Sequence, residues 1–382
     1  MIYLDHAAAT PVSERTLKAM EPYFLHDFFN PSAAYLPAKR TAAAYEEAKS
    51  SIAHAIGAKS TELVITAGAT EANNLAFTAA RSNQAKNQIL YLETEHDSVR
   101  QVATSYGGTP IKVNKNGLID LDDLKQKITD DTRLISIALV NNELGTIQPF
   151  SEIKNIIRDI NLSRLKRGIK EKLLLHSDAS QALNLLDINV ARLGVDLMTI
   201  NSAKVYGPKG VGALYVAHDV KLQPLTVGGG QERGLRSGTE NVPGVIGFAK
   251  ALETAKKQMV SSRKKYAKWK KILLEELQGY ELINKKHTLD NFIVVCYNNI
   301  DAERLIFHLE EAEVYVSTGA ACAASKGVRS HVLKAIGLSD EEIAGSLRIT
   351  LGETNSEEQI HEAARIINAA VKSEKERTRS NG

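Results

Sequence analysis

Two cysteines in 382 residues leave no material for a disulfide framework. Cys296 and Cys322 are also too far apart for a CxxC pair, so the chain reads as one for a reducing compartment, and a cytoplasmic protein is expected. A large excess of one sign of charge is absent: the net value is +3, too small to argue for nucleic acid or a membrane surface as partner. The first residues, Met1-Ile2-Tyr3-Leu4-Asp5, have neither a basic region nor an apolar signal core. No apolar run is long enough to span a bilayer. Internal repeats and long low-complexity linkers are missing too. What remains is an ordinary soluble composition, 43% hydrophobic and 24% charged, at a length that favours two domains.

From about residue 60 to 220, short apolar runs alternate with amphipathic stretches. Strands are expected at 63–66, 89–92, 134–140, 173–176, 197–200 and 211–216, with helices between most of them. That pattern implies an α/β domain with a largely parallel sheet, whose ligands bind beyond the carboxyl ends of the strands. A charged helix over 253–278 leads into a second domain with strands at 292–297 and around 347–351 and a helix over 356–372. The basic segment 164–172 reads as a solvated surface loop, and the polar tail from 374 as disordered.

Chemistry-bearing residues follow the strand ends. Lys204 sits between two strand-like runs and before Gly207-Pro208, so it is held in place, and a held, desolvated amine can form a Schiff base. A lysine stem packed on the core is the bland alternative. Gly68-Ala69-Thr70 opens a helix after a strand, which suits a phosphate or an ordinary turn. Asp178 could pair with a protonated ring nitrogen, with Gln181 three residues on, or serve as a helix N-cap. His96 could stack on a ring and move protons, and Asn142 could hydrogen-bond it from a loop. A metal site is discounted, because His176 and Asp178 have no third ligand of comparable context. The glycine-rich run Gly228–Thr239 carries two arginines and reads as a hinge or a second phosphate contact, without the order of a P-loop. Cys322, flanked by small residues, is a candidate nucleophile; Cys296, in an apolar run, is expected to be inert core. Arg348 interrupts a strand, which calls for an anion: a substrate carboxylate or a structural partner.

Together these runs resemble the cysteine desulfurases of the class V aminotransferase superfamily. The matches cover nearly the whole chain in order: YLDHAAATP, NPS, AGATEANN, TEH, VNNELG, SDASQ, KVYGPKG, GGGQERGLRSGTEN, STGAAC and HVLKAIGL before SLRITLG. The short spacing from Cys322 to His331 is similar to that of the nitrogen-fixation and housekeeping iron–sulfur branch. The resemblance implies an aspartate-aminotransferase-like fold of type I. It implies a large domain over 13–255 and a smaller α+β domain built from 1–12 and 256–382. It also implies pyridoxal 5'-phosphate on Lys204, Asp178 at the pyridine nitrogen, Gln181 at the phenolic oxygen, His96 over the ring and Asn142 beside it. Phosphate contacts would come from Ala69, Thr70, Asn201 and Ser202, with Thr239 reaching in from a second subunit of a homodimer. Cys322 would carry a persulfide from L-cysteine to a sulfur-acceptor protein serving iron–sulfur clusters or tRNA thiolation, while Asn142 and Arg348 bind the substrate. Three positions depart from the pattern: Ala203 where the family usually has His, Asn201 where Ser is common, and Glu353 where Arg is frequent. They motivate two alternatives: another class V lyase or aminotransferase, such as a selenocysteine lyase-like enzyme, and a degenerate non-catalytic partner subunit.

Overall fold

The computed structural model describes residues 1–80, 87–318 and 329–380, with 378–380 as backbone alone. The chain begins with β1 (Ile2–Tyr3), which pairs in parallel with a strand far downstream, Val314–Tyr315. Seven strands then form one sheet: β2 (Leu63–Thr66), β3 (Gln88–Leu92), β4 (Thr109–Ile111), β5 (Thr132–Ser136), β6 (Leu174–Asp178), β7 (Leu197–Asn201) and β8 (Gly212–Val216). Their spatial order is β2-β8-β7-β6-β5-β3-β4. β4, β3, β5, β6 and β7 run parallel, and β8 is antiparallel to both of its neighbours. The expected α/β fold with a mostly parallel sheet is present.

The sheet is buried on both faces, as parallel sheets must be. Residues alternate between two cores with the period of a strand. Leu63 and Ile65 enter one cluster and Val64 the other; Leu90 and Leu92 enter the first, Ile89 and Tyr91 the second.

One expected strand is cut short, and one strand was not expected. The run 134–140 ends as regular strand at Ser136, because the Ala138 N–H donates to the Glu95 carboxylate at 2.6 Å instead of continuing a ladder. β4 escaped notice because it is three residues long with Pro110 at its centre, a residue that sheets tolerate at an edge.

The second sheet is formed by β9 (Glu281–Leu282), β10 (Phe292–Cys296), β12 (Ser317–Thr318) and β13 (Ser346–Thr350), in the order β12-β13-β10-β9 and antiparallel throughout; β11 is the Val314–Tyr315 strand paired with β1. One 35-residue helix, Val242–Glu276, leads from the large sheet towards it, running without a break through position 255. It packs against the helices Glu14–Met20, Leu36–Ala55 and Glu357–Ser380.

Two sequence expectations are corrected here. The tail from 374 is helical to Ser380, because Glu374 is buried and accepts from both Arg304 and Arg377. The segment 164–172 is not a solvated loop throughout. Arg164 lies in the helix Phe150–Lys166 at 1% exposure, and its Nη2 donates to the carbonyls of Thr129 and Thr132. No helix of the described residues is long and apolar enough to cross a membrane.

Candidate active site

A cavity of about 240 Å3 opens beyond the carboxyl ends of the parallel strands. It far exceeds the ~30 Å3 share of one water in the liquid. Lys204 reaches it from a single turn of 3-10 helix, Ser202–Lys204, that follows β7 directly. Asn201 caps that turn by accepting the Ala203 N–H at 3.2 Å. Asn184 holds the Lys204 carbonyl at 2.6 Å, and Thr10 donates to the Ala203 carbonyl through both its backbone and its hydroxyl. The turn that follows demands a small residue. Tyr206 adopts a φ of +63°, and a Cβ on Gly207 would stand 2.2 Å from Ser202 Oγ. The amine itself donates to the carbonyls of Ala7 and Ala8 at 2.8 and 2.6 Å.

Asp178 ends β6 as a buried carboxylate. One oxygen accepts from Asn73 Nδ2 and the other from the Ser180 N–H, both at 2.9 Å. Glu95, following β3, is fully buried beside it. Burial first, and the Asp178 charge second, push its carboxyl well above the ordinary carboxylate range. Glu95 therefore holds its proton more tightly than an ordinary carboxylic acid. Behind them, burial lowers the pKa of His176 to about 4; its ring lies between Ser136 Oγ at 2.8 Å and Thr199 Oγ1 at 3.1 Å.

His96 caps the helix Asp97–Ser105, its Nδ1 accepting the Ser98 N–H at 3.1 Å. In the neutral ring the proton therefore sits on Nε2. Gln181 donates to the Ala7 carbonyl at 3.0 Å. The helix Ala69–Phe77 begins at Gly68 with no side-chain cap, leaving its first N–H groups at the cavity edge where Ala69 and Thr70 lie. Arg348, on β13, enters from the other sheet and donates to the Asn142 carbonyl at 3.0 Å.

The cavity thus brings together Lys204, His96, Asp178, Gln181, Asn142, Asn201, Ala69, Thr70 and Arg348. Ser202 and Thr239 do not line it. Ser202 is fully buried with its hydroxyl against Gly207, and Thr239 is an exposed residue beside a separate cavity of about 130 Å3. Glu232 anchors the loop that bears Thr239. Its carboxylate accepts from Tyr45, from Lys49 at 2.7 Å and from the Ile65 N–H. Glu353 does not line the cavity either; its N–H donates to the Tyr206 hydroxyl at 2.7 Å. Cys322 lies outside the described residues. Cys296 is buried, and burial raises its thiol pKa. Among the described residues no group of three or more His, Cys, Asp or Glu could hold a metal ion.

Glu95, Glu143 and His331 also line the cavity, and the sequence reading gave none of them a role in the site. Each was in view, inside TEH, VNNELG and HVLKAIGL. Only the fold says that their side chains converge.

The family model for class-V aminotransferases matches residues 2–362. The chain belongs to that family. A relative named cysteine desulfurase IscS 1, from Archaeoglobus fulgidus, is 36% identical, and the alignment covers 97% of each chain. A solved NifS-like protein superposes with a TM-score of 0.90 at 30% identity, covering 97% of this chain and 99% of that one. The solved structure of SspA in complex with cysteine superposes with a TM-score of 0.78 at 34% identity, covering 92% and 99%.

Proposed function

We propose that this chain is a pyridoxal 5'-phosphate-dependent cysteine desulfurase, converting L-cysteine and a thiol into L-alanine and a persulfide. The observation that carries the reading is Lys204 in one cavity with the buried carboxylate of Asp178, in a chain that matches cysteine desulfurases end to end. The residues fit the cofactor. The uncapped start of Ala69–Phe77 suits a phosphate, and Asp178 is a buried carboxyl group of the kind that a ring N–H would meet. Lys204 supplies the amine that would hold the aldehyde. Bound there, pyridoxal phosphate supplies an electron sink.

The chain's own groups do the rest. Arg348 and Asn142 orient the carboxylate of L-cysteine. Lys204, which would hold the cofactor, would as a free amine take the proton at Cα, with His96 relaying it. Gln181 and Asn201 border the cofactor, and Ser202 supports the turn from beneath. Cys322 takes the sulfur and hands it to an acceptor protein, for iron–sulfur cluster assembly or tRNA thiolation, in the cytoplasm. The same reading assigns 13–255 to the cofactor domain and 1–12 with 256–382 to the smaller one.

A homodimer completes the proposal. Thr239 cannot serve its own cavity from where it lies, which is what a contact in trans requires. Phe24, Leu25, Phe28, Tyr35 and Leu36 are more than half exposed, and Phe28 stacks on Phe29 at 4.7 Å, which makes an apolar surface suited to a second copy.

The test is to supply the purified protein with pyridoxal phosphate, L-cysteine and a reducing thiol, and to measure L-alanine and sulfide. Equal yields of the two support a desulfurase. Products from L-selenocysteine alone would favour the lyase alternative, and failure to take up the cofactor would favour the degenerate subunit.

A further inference from the structure

His331 lines the cavity and has no part in the chemistry above. Its helix, His331–Ala335, is capped by Ser330, whose hydroxyl accepts the Leu333 N–H at 3.1 Å. The same hydroxyl donates to Glu143 on the cavity wall at 2.5 Å. Val332 and Leu333 are fully buried in a small core with Leu144. The backbone of His331 is therefore fixed from two sides.

The ring is fixed as well. His331 Nε2 lies 2.9 Å from the Glu95 carbonyl oxygen. A carbonyl only accepts, so Nε2 carries the proton, and in the neutral ring Nδ1 keeps its lone pair. Burial lowers the pKa of this histidine; Arg100 and His96 add to the effect, while the Glu95 carbonyl and Asp97 oppose it. The ring is neutral at neutral pH.

Among the described residues, several neighbouring acceptors are already engaged. His96 has Nδ1 engaged with Ser98. Asp97 takes both Nε and Nη2 of Arg100 on one oxygen. Glu143 is engaged by Ser330, and Glu95 is buried against the Ala138 N–H.

We propose that His331 is a specificity-determining residue for the sulfur end of the substrate, its Nδ1 accepting the hydrogen bond of the L-cysteine thiol. This rests on the desulfurase reading. A thiol, with an ordinary pKa near ~8.5, arrives at neutral pH carrying the proton that Nδ1 needs. A selenol is a stronger acid and arrives as an anion, with no proton to donate and a lone pair to face. The site therefore favours L-cysteine over L-selenocysteine.

Two substitutions separate this role from a structural one. His331→Asn puts an amide oxygen near the position of Nδ1 and gives up the bond to Glu95. His331→Gln puts an amide N–H near the position of Nε2, keeps that bond, and loses the acceptor. The experiment measures kcat and KM of the holoenzymes with L-cysteine and L-selenocysteine across pH, with S-methyl-L-cysteine as a competitive ligand.

His331→Gln should lose roughly tenfold in kcat/KM for L-cysteine, mostly in KM, with no loss for L-selenocysteine. His331→Asn should stay near wild type. The rise of the wild-type KM at acid pH, where the imidazolium donates rather than accepts, should vanish in both. Inhibition by S-methyl-L-cysteine, which has no thiol proton, should be the same in all three. Full activity in the Gln variant with damage in the Asn variant would overturn the proposal, as would equal losses on both substrates. A wild-type protein that makes no L-alanine from L-cysteine would overturn the desulfurase reading itself, before any variant is compared.

Discussion

Arg348 and Asp5 meet at 2.7 Å although 343 positions separate them in sequence. The pair joins β13 to the first residues of the chain, and both partners are largely buried. With one Nη on Asp5 and the other on the Asn142 carbonyl, the guanidinium is held flat at the cavity wall. Its buried Nε makes no hydrogen bond among the described residues. An Arg so restrained is a ready carboxylate receptor, because its geometry is set before the substrate arrives.

Arg348→Lys should therefore raise KM for L-cysteine by roughly tenfold to a hundredfold, the worth of a charge-assisted hydrogen bond, while kcat changes little. Steady-state kinetics at one pH checks it. An unchanged KM would mean that Arg348 serves only Asp5 and the fold.

Lys204→Ala should leave the fold intact and abolish covalent capture of the cofactor. Lys204→Arg can still donate to the Ala7 and Ala8 carbonyls but lacks a nucleophilic amine at neutral pH. Both variants should fail to retain the cofactor after borohydride reduction and dialysis, with circular dichroism matching wild type. A covalently labelled peptide recovered from either variant would move the attachment to another lysine.

Much of this arrangement was legible in the sequence because strand ends were. Lys204, Asp178 and His96 each follow an apolar run, and a parallel sheet gathers such positions at one edge. Glu95, Glu143 and His331 were not legible as site residues, although they stand in the same motifs. A glutamate before a histidine looks solvated until the fold buries it under Ala138 and beside Asp178. Ser202 misled for a related reason. Expected at a phosphate from its resemblance, it turns its hydroxyl beneath the chain towards Gly207. The tail beyond 374 looked disordered because its charges have no apolar periodicity, yet Glu374 is satisfied by arginines on two helices.

Glu143 makes stability depend on pH in a defined direction. Burial raises its carboxyl to about 7, against the pull of the Ser330 hydroxyl and Arg348. The unfolded chain releases that proton near the ordinary value of 4.5. Between these limits the folded state binds more protons, so the contribution of Glu143 to stability is full at low pH and lost as pH rises towards 7. Glu143→Gln should remove the loss, gaining on wild type by at most about 3 kcal/mol between pH 4.5 and 7 and no further above it. Urea melts of both proteins across that range test it. Parallel curves would mean that Glu143 ionises normally in the fold.

Ala203→His should tighten pyridoxal phosphate binding by about tenfold, the worth of the weaker charge-assisted bonds. The motivation is that Ala203 has no side-chain donor and the Ser202 hydroxyl lies against Gly207, which leaves the Asn201 amide and the Thr70 hydroxyl at the cavity. Dissociation constants from dialysis and titration at one pH settle it. An unchanged constant would mean that the uncapped helix start at Ala69 suffices.

Transfer of sulfur from L-cysteine onto the chain itself is read most directly by mass spectrometry of peptides alkylated after a single turnover. Cys296 is buried against the Glu342 carbonyl at 3.3 Å with its thiol pKa raised, so it should remain unmodified. The peptide bearing Cys322 should carry one extra sulfur atom in wild type and none in Cys322→Ser, while Cys296→Ser behaves as wild type. An extra sulfur on Cys296, or on neither cysteine while L-alanine still accumulates, would contradict a persulfide carried by Cys322.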